Sequence, residues 1–471
     1  MAVVISNNKT VLCRLHTKKN DTSLNLPALS EVFAQLPGTA ILGANTAVER
    51  FSYWAAYPKE IFEFSAGQED PLPKLQKVLD KFKLETDSEN PLPSGTFCGG
   101  WVGYFSYELG RYIERLPETT VDDLAIPLIR LGFYDRLIAY DHIEKTCRLI
   151  ALELPDDIER PQEKLAQMEK LLAKAQNLSI PQPPAAELEN IDLSQIRCNM
   201  DKGYYLKAVE KIKRYIYDGD VYQVNFSQRF ESDYSARPIE LFHWQNLYNP
   251  SGYAACIDGG DFHIVSASPE MFITIADGVI STKPIKGTRP RLARTEQNKK
   301  INETNFNELL HSEKEKAELN MIIDLERNDL ARICEPGTRK VIQQRTIESY
   351  PTVFHAVATV AGRLRAGTPF CDILCAMFPG GSITGAPKIR SMEIIDQIEP
   401  TARGVYTGSI GFIGIDGSTA LNIAIRTIII SKNKAFAQTG GGIVADSDPQ
   451  AEWNETIIKA RALLAGISAV R

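Results

Sequence analysis

What the chain lacks limits it before any motif is read. No apolar run approaches the roughly 18 residues that suggest a membrane span, so no membrane segment is expected. The opening MAVVISNNKTVLCRLHTKK has neither a basic stretch ahead of its short apolar run nor a small-residue cleavage pattern, and a cytoplasmic protein is expected. Basic charge is not in excess. The 53 lysines and arginines stand against 59 acidic residues, a net charge of −6, which argues against nucleic acid as a partner and leaves room for a local cationic pocket. The eight cysteines are scattered, and their one close pair, Cys371 and Cys375 in CDILCAMF, has helical i,i+4 spacing with no second pair to complete a metal site. Buried small side chains are the reading for both.

What is present describes a globular protein. Its 471 residues suffice for one large or two to three ordinary domains, and 44% hydrophobic with 24% charged content matches soluble domains. The best internal boundary lies around 156–190, where a charged helical segment, ERPQEKLAQMEKLLAKAQ, gives way to the Pro/Ala/Glu-rich PQPPAAELEN. Short β-branched and aromatic runs before it, such as FCGGWVGYFSYELG, read as strands and turns.

After the boundary four stretches are well marked. KGYYLKAVEKIKRYIYDGD carries Leu206, Val209, Ile212 and Ile216 at helical rhythm and stops at Gly219, and VYQVNFSQRFES reads as a strand. FNELLHSEKEKAELNMIIDLERNDLARI predicts one long helix with Glu315 and Glu318 on a shared face. SDPQAEWNETIIKARALLAGI opens on an N-cap and an early proline, and it aligns Glu452, Glu455 and Lys459. Between the helices, strand-like runs broken by Asp-Gly and Asn-Lys turns point to antiparallel hairpins and an α+β architecture.

Several residues carry chemistry. Lys286, in STKPIKGTRPR, stands between a proline and a glycine beside other cations, and it is either a surface charge or a tool. FPGGSITGAPK has P-loop-like glycine spacing, but Ala386 and Pro387 occupy the phosphate-lysine and metal-hydroxyl positions, so a nucleotide loop is disfavoured. Two helices that present Glu315/Glu318 and Glu452/Glu455 across a cleft would make an all-oxygen site suited to Mg²⁺; each pair alone reads equally well as a solvated face. Lys459 follows Glu455 at the favourable i,i+4 spacing. Arg426, taken as mid-strand in LNIAIRTIII, calls for a carboxylate partner from protein or ligand. Gly440, Gly441 and Gly442 suggest a tight hairpin or an anion cradle. Glu270, in SASPEMF, would serve as an acid if desolvated.

Taken together, GDVYQVNFSQRF, SASPEMF, PIKGTRPR, SEKEKAELNMIIDLERNDLARI, SYPTVFHAV, FPGGSITGAPKIRSMEIID, YTGSIGF, IAIRT and GGGIVADSDPQAEWNET resemble, in order, the motifs of the chorismate-utilising enzymes. That family includes anthranilate, aminodeoxychorismate, isochorismate and salicylate synthases. The resemblance is dense over about 200–465 and loose over 1–180. It implies a large mixed α/β sandwich, with mainly antiparallel sheets packed face to face and helices outside. Residues 1–185 would form the N-terminal portion of the fold, a candidate regulatory subdomain, and residues 195–468 the chorismate-binding catalytic domain.

The resemblance also implies roles. Glu318 and Glu455 would be the main Mg²⁺ ligands, with Glu315 and Glu452 close by. Gly440–Gly442 and Lys459 would meet the ring carboxylate, Arg426 and Tyr406 the enolpyruvyl carboxylate, while His355 and Ser382 line the pocket and Glu270 is the general acid. Lys286 stands where aminodeoxychorismate synthases carry lysine and anthranilate synthases usually alanine. Gln223 stands where isochorismate synthases carry a water-activating lysine. The pair implies amination of chorismate at C4 by ammonia through a lysine adduct at C2, the lysine kept neutral by neighbouring cations such as Lys283, Arg289 and bound Mg²⁺. The alternatives are anthranilate formation with loss of pyruvate and a non-catalytic chorismate-binding regulatory subunit. No glutaminase motif is seen, since GTFCGG around Cys98 has the wrong spacing, so a separate glutaminase subunit is the expected partner.

Overall fold

The computed structural model describes residues 10–21, 24–43, 49–85, 92–185, 196–292, 295–350 and 353–470. The opening nine residues and much of the Pro/Ala/Glu-rich boundary, 186–195, lie outside the described residues.

Among the described residues the strands form two sheets of thirteen and ten. The order of the first is Arg197–Cys198, Gln223–Asp233, Lys434–Ile443, Thr427–Ser431, Phe262–Ser268, Tyr253–Asp258, Ala40–Leu42, Phe51–Ala55, Arg136–Asp141, Thr146–Glu153, Val11–Asn20 and Phe82–Leu84, with Gly385–Ala386 added beside Gln223. The second is built around Ile285–Pro290, Val353–Arg363, Val279–Lys283, Met271–Ala276, Thr419–Asn422, Ser409–Gly414 and Gly100–Phe105. All strand pairings except Val11–Asn20 with Phe82–Leu84 are antiparallel. An apolar layer with Tyr53, Leu137, Ile264 and Ile429 from one sheet and Val102, Ile410 and Phe412 from the other fills the space between them. Helices cover the outside, among them Leu26–Phe33, Pro161–Gln176, Pro238–Tyr248 and Pro449–Val470 on one face. This is the mixed sandwich that the resemblance implied. No helix among the described residues is long and apolar enough to cross a membrane.

Both sheets draw strands from both sides of the 156–190 boundary. Tyr253–Asp258 pairs with Ala40–Leu42, and Ser409–Gly414 pairs with Gly100–Phe105. The Asp-Gly turn is as the composition indicates, and the other falls on Lys432–Asn433, one residue ahead of the expected Asn-Lys: Asp277, Gly278, Lys432 and Asn433 all take positive φ, the geometry of tight hairpins.

The chain crosses between the two sheets at two places that matter. One lies between Phe262–Ser268 and Met271–Ala276, and it holds Pro269 and Glu270. The other lies between Thr419–Asn422 and Thr427–Ser431, and it holds Arg426. Strand ends that leave one sheet for the other bring side chains into the space between the layers, and the site forms there. Arg426 is thus not mid-strand as expected; it sits just before a strand with φ +49.

One helix expected to be continuous is two. Ser312 takes extended backbone (φ −68, ψ 106), ends Glu296–His311 and caps Glu313–Ala331, its hydroxyl accepting from the Glu315 amide at 3.4 Å. Serine competes for backbone donors and so favours caps over helix interiors, which apolar periodicity does not register. The last helix, Pro449–Val470, starts as read, with Asp448 Oδ1 accepting from the Ala451 amide at 2.8 Å.

Candidate active site

Lys286 lies on a deformed strand. Ile285 pairs with Val357 and Thr288 with His355, so the register shifts between them, and Gly287 takes φ +90. A Cβ at Gly287 would lie 2.4 Å from Glu315 Oε2, so space as well as backbone requires glycine. A bulge of this kind re-aims a side chain. The Lys286 ammonium donates to the Ser382 carbonyl at 3.3 Å. Burial lowers its proton affinity; Glu318, Glu270 and Glu455 act against that and Lys459 with it. Of the expected cations, Lys283 is paired with Glu348 at 2.8 Å and Arg289 with Glu315 at 2.8 Å, and neither is among the groups that chiefly shift Lys286; the cation that does is Lys459, after burial.

Glu270 is 4% exposed, and its Oε1 accepts the Ile285 amide at 3.3 Å. Burial raises its proton affinity, while the Ser382 hydroxyl, the Lys286 charge and the Ile285 amide pull it back. Ser382 therefore joins the two groups, its carbonyl to the lysine and its hydroxyl to the acid. The short 3₁₀ turn Gly381–Ile383 carries it.

The four glutamates come from two helices, as their spacing required. Glu318 and Glu455 both act on Lys286. Glu452 is buried, accepts from Ser447 at 2.7 Å and has its proton affinity raised by burial. Glu455 is 53% exposed; burial alone would raise its proton affinity, but Lys459, Lys314 and Lys286 outweigh that and hold it below the usual range. A Cβ on Gly441 would lie 3.1 Å from Glu452 Oε2 and 3.9 Å from Glu455 Oε1, so both carboxylates overlie that glycine. Glu315 gives one oxygen to Arg289, and its buried Oε2 has no partner. Among the described residues no three carboxylates, imidazoles or thiols gather closely enough to enclose a metal. The donor set still fits Mg²⁺, which takes one or two carboxylates and completes its shell with substrate and water oxygens.

The glycines do not form a hairpin. They lie in the extended strand Lys434–Ile443, with Gly440, Gly441 and Gly442 opposite Ser227, Phe226 and Asn225. Lys459 bonds Glu455 at 2.8 Å and donates to the Gly440 carbonyl at 3.0 Å. Beside Gly442 lies Gln223, fully buried, with neither end of its amide hydrogen-bonded. A buried amide without partners is costly, and a ligand's polar groups would satisfy it.

Arg426 donates to Asn249 Oδ1 at 3.3 Å and has no ion pair among the described residues. Burial lowers its proton affinity. His355 is neutral, pushed down to about 3 by burial and by Arg426; its Nδ1 meets the Thr288 hydroxyl at 2.9 Å, and its buried Nε2 has no partner. Tyr406 belongs to the segment alongside, where the Thr407 amide donates to the Ala424 carbonyl at 2.9 Å.

Two buried groups escaped the motif reading. Arg403 is 2% exposed and uses all five N–H donors: two on Glu399, and one each on the Ile383 carbonyl, the Asn225 carbonyl and the Thr407 hydroxyl, at 2.7 to 3.2 Å. Glu399 also takes the Ser227 amide and hydroxyl. The pair thereby links the Ser382 turn, the Tyr406 segment and the strand facing the glycines. Glu399 and Arg403 stand four apart in EPTARGVY, but Pro400 makes that stretch look like a solvated turn. The second group, Glu326 with Asp329 and Lys388, lies behind the Gly381 turn.

The chain belongs to the chorismate-binding enzymes: the model of that family, described as chorismate binding enzyme, matches residues 40–465. It is 39% identical over 394 residues to aminodeoxychorismate synthase component 1 of Bacillus subtilis, covering 84% of this chain and 81% of that protein. It is 38% identical over 409 residues to anthranilate synthase component 1 of Pseudomonas putida, covering 85% and 80%. The crystal structure of anthranilate synthase component I from Streptococcus pneumoniae superposes with a TM-score of 0.75 at 32% identity, covering 89% of this chain and 93% of that one.

Proposed function

We propose that the protein converts chorismate and ammonia to 4-amino-4-deoxychorismate and water. The observation that carries this reading is Lys286: a half-buried residue whose amine has lowered basicity, on a bulge, held by the same Ser382 that meets the acid Glu270. The relatives divide between two products, so the lysine and not the similarity favours this one.

The neutral Lys286 nitrogen attacks C2 of the ring. The C1–C2 and C5–C6 double bonds shift to C1–C6 and C4–C5, and the C4 hydroxyl leaves as water with the Glu270 proton. Ammonia then adds at C4, the double bonds return, and the lysine leaves C2, its nitrogen ending neutral while Glu270 recovers a proton. Glu318 and Glu455, with Glu315 and Glu452 close by, would hold Mg²⁺, which when bound supplies positive charge for the substrate carboxylate and the departing oxygen. Arg426 and Tyr406 would hold the second carboxylate, with the unpartnered His355 Nε2 lining the pocket. The ammonia would come from a separate glutaminase subunit, named for neither relative above and inferred from the absence of such a motif in this chain.

Purified protein with chorismate, Mg²⁺ and ammonium is expected to consume chorismate without releasing pyruvate. Stoichiometric pyruvate would identify anthranilate formation and overturn the reading. In intact-protein mass spectrometry without ammonia, a chorismate-derived adduct on wild type should vanish in Lys286→Ala, whose amination rate should fall by about 10²-fold or more. An unchanged rate in that variant would remove the nucleophile role.

A further inference from the structure

The back of the Ser382 turn holds a carboxyl with no counterion. Glu326, on the helix Glu313–Ala331, is 3% exposed. Its Oε1 accepts the Gly381 amide at 3.2 Å, and its Oε2 is buried without a partner. The near cation is committed elsewhere: Lys388 binds Asp329 at 2.6 Å and the Met377 carbonyl at 3.1 Å. A carboxylate at Glu326 would thus bury a bare charge, whereas a carboxylic acid keeps the hydrogen bond and carries no charge.

We propose that Glu326 is a positioning residue, fixing the Gly381–Ile383 turn so that Ser382 reaches Lys286 and Glu270 together. This rests on Glu270 being the acid of the reaction above. The groups facing Glu326 are Asp329 on its own helix, Lys388 from Lys388–Ile398, the Gly381 amide, and Glu270 from the crossing between the sheets. Those facing Glu270 are Ser382, Lys286 and the Ile285 amide. The charge of Glu270 acts on Glu326, whereas Glu326 is not among the groups that chiefly shift Glu270 or Lys286, so its role is to hold the turn.

Burial, with Asp329 adding and Lys388 opposing, raises Glu326 to about 8, so near neutral pH it stands as a carboxylic acid. Glutamine at position 326 still accepts from the Gly381 amide, whereas leucine does not.

The test measures chorismate consumption, whichever product forms, with the full chain, Mg²⁺ and ammonium. Glu326→Leu, which removes the acceptor for Gly381, should lower kcat by about tenfold with little change in the KM for chorismate, because the turn serves the reacting groups, and Glu326→Gln, which keeps that acceptor, should retain most of the rate. Infrared spectra of wild type at pH 6.5 should show a buried carboxylic-acid band that Glu326→Gln lacks. An unchanged kcat in a folded Glu326→Leu, or a Glu326→Gln as slow as Glu326→Leu, overturns the positioning role; an infrared band common to wild type and Glu326→Gln overturns the carboxylic acid at position 326. Glu270→Gln separates the two levels: if it keeps the wild-type rate, the acid assignment itself has failed, whatever Glu326 does.

Discussion

At the scale of single residues, three glycines in a row divide into different jobs. A Cβ on Gly440 would lie 2.6 Å from the Phe226 carbonyl and 2.8 Å from the Ser227 Cβ, both on the paired strand, which cannot withdraw. Gly440→Ala should therefore destabilise the fold by about 1–3 kcal/mol, read as a lower urea midpoint. Gly441 meets only the ends of Glu452 and Glu455, which can move. Gly441→Ala should keep the midpoint and weaken Mg²⁺ activation by about tenfold, since it displaces carboxylates that would hold the ion. Equal loss of stability in both variants would refute this division. From the text alone the triplet shows only that backbone is approached closely; what approaches each glycine is set by a strand some 215 residues earlier in the chain and a helix ten residues later.

At the scale of elements, the break at Ser312 deserves a measurement because Glu315 and Glu318 stand in the first turns of the helix that it caps. Ser312→Ala removes the acceptor for the Glu315 amide and should cost about 1 kcal/mol of stability. It should also raise the Mg²⁺ concentration needed for half-maximal activity, which a titration would check; an unchanged Mg²⁺ requirement would mean that the cap serves stability alone. The glutamate spacing was legible because helical period fixes which residues share a face. The break was not, because side-chain capping and apolar period are separate signals and only the second was strong here.

At the scale of the whole molecule, the chain divides in composition but not in its sheets. Residues 195–471 expressed alone would leave the edge of Tyr253–Asp258 without Ala40–Leu42 and the edge of Ser409–Gly414 without Gly100–Phe105. Open edges over an apolar layer promote association, so this fragment should aggregate, as size-exclusion chromatography would report. A soluble monomeric fragment that binds chorismate would show that the catalytic part folds without its neighbours.

The sequence determined which residues could form the candidate site, since Glu270, Lys286, the four glutamates and Arg426 stand in ordered motifs, and it determined the α+β class, since period and turn chemistry act locally. Only the tertiary structure decided what those residues feel. The basicity of Lys286 is lowered by burial rather than by Lys283 and Arg289, because those cations found carboxylates of their own. Arg403, Glu399 and Glu326 matter only once the sheets close over them and leave every donor to be matched inside the protein. Local chemistry is written along the chain, whereas desolvation and partner choice depend on segments far apart in it.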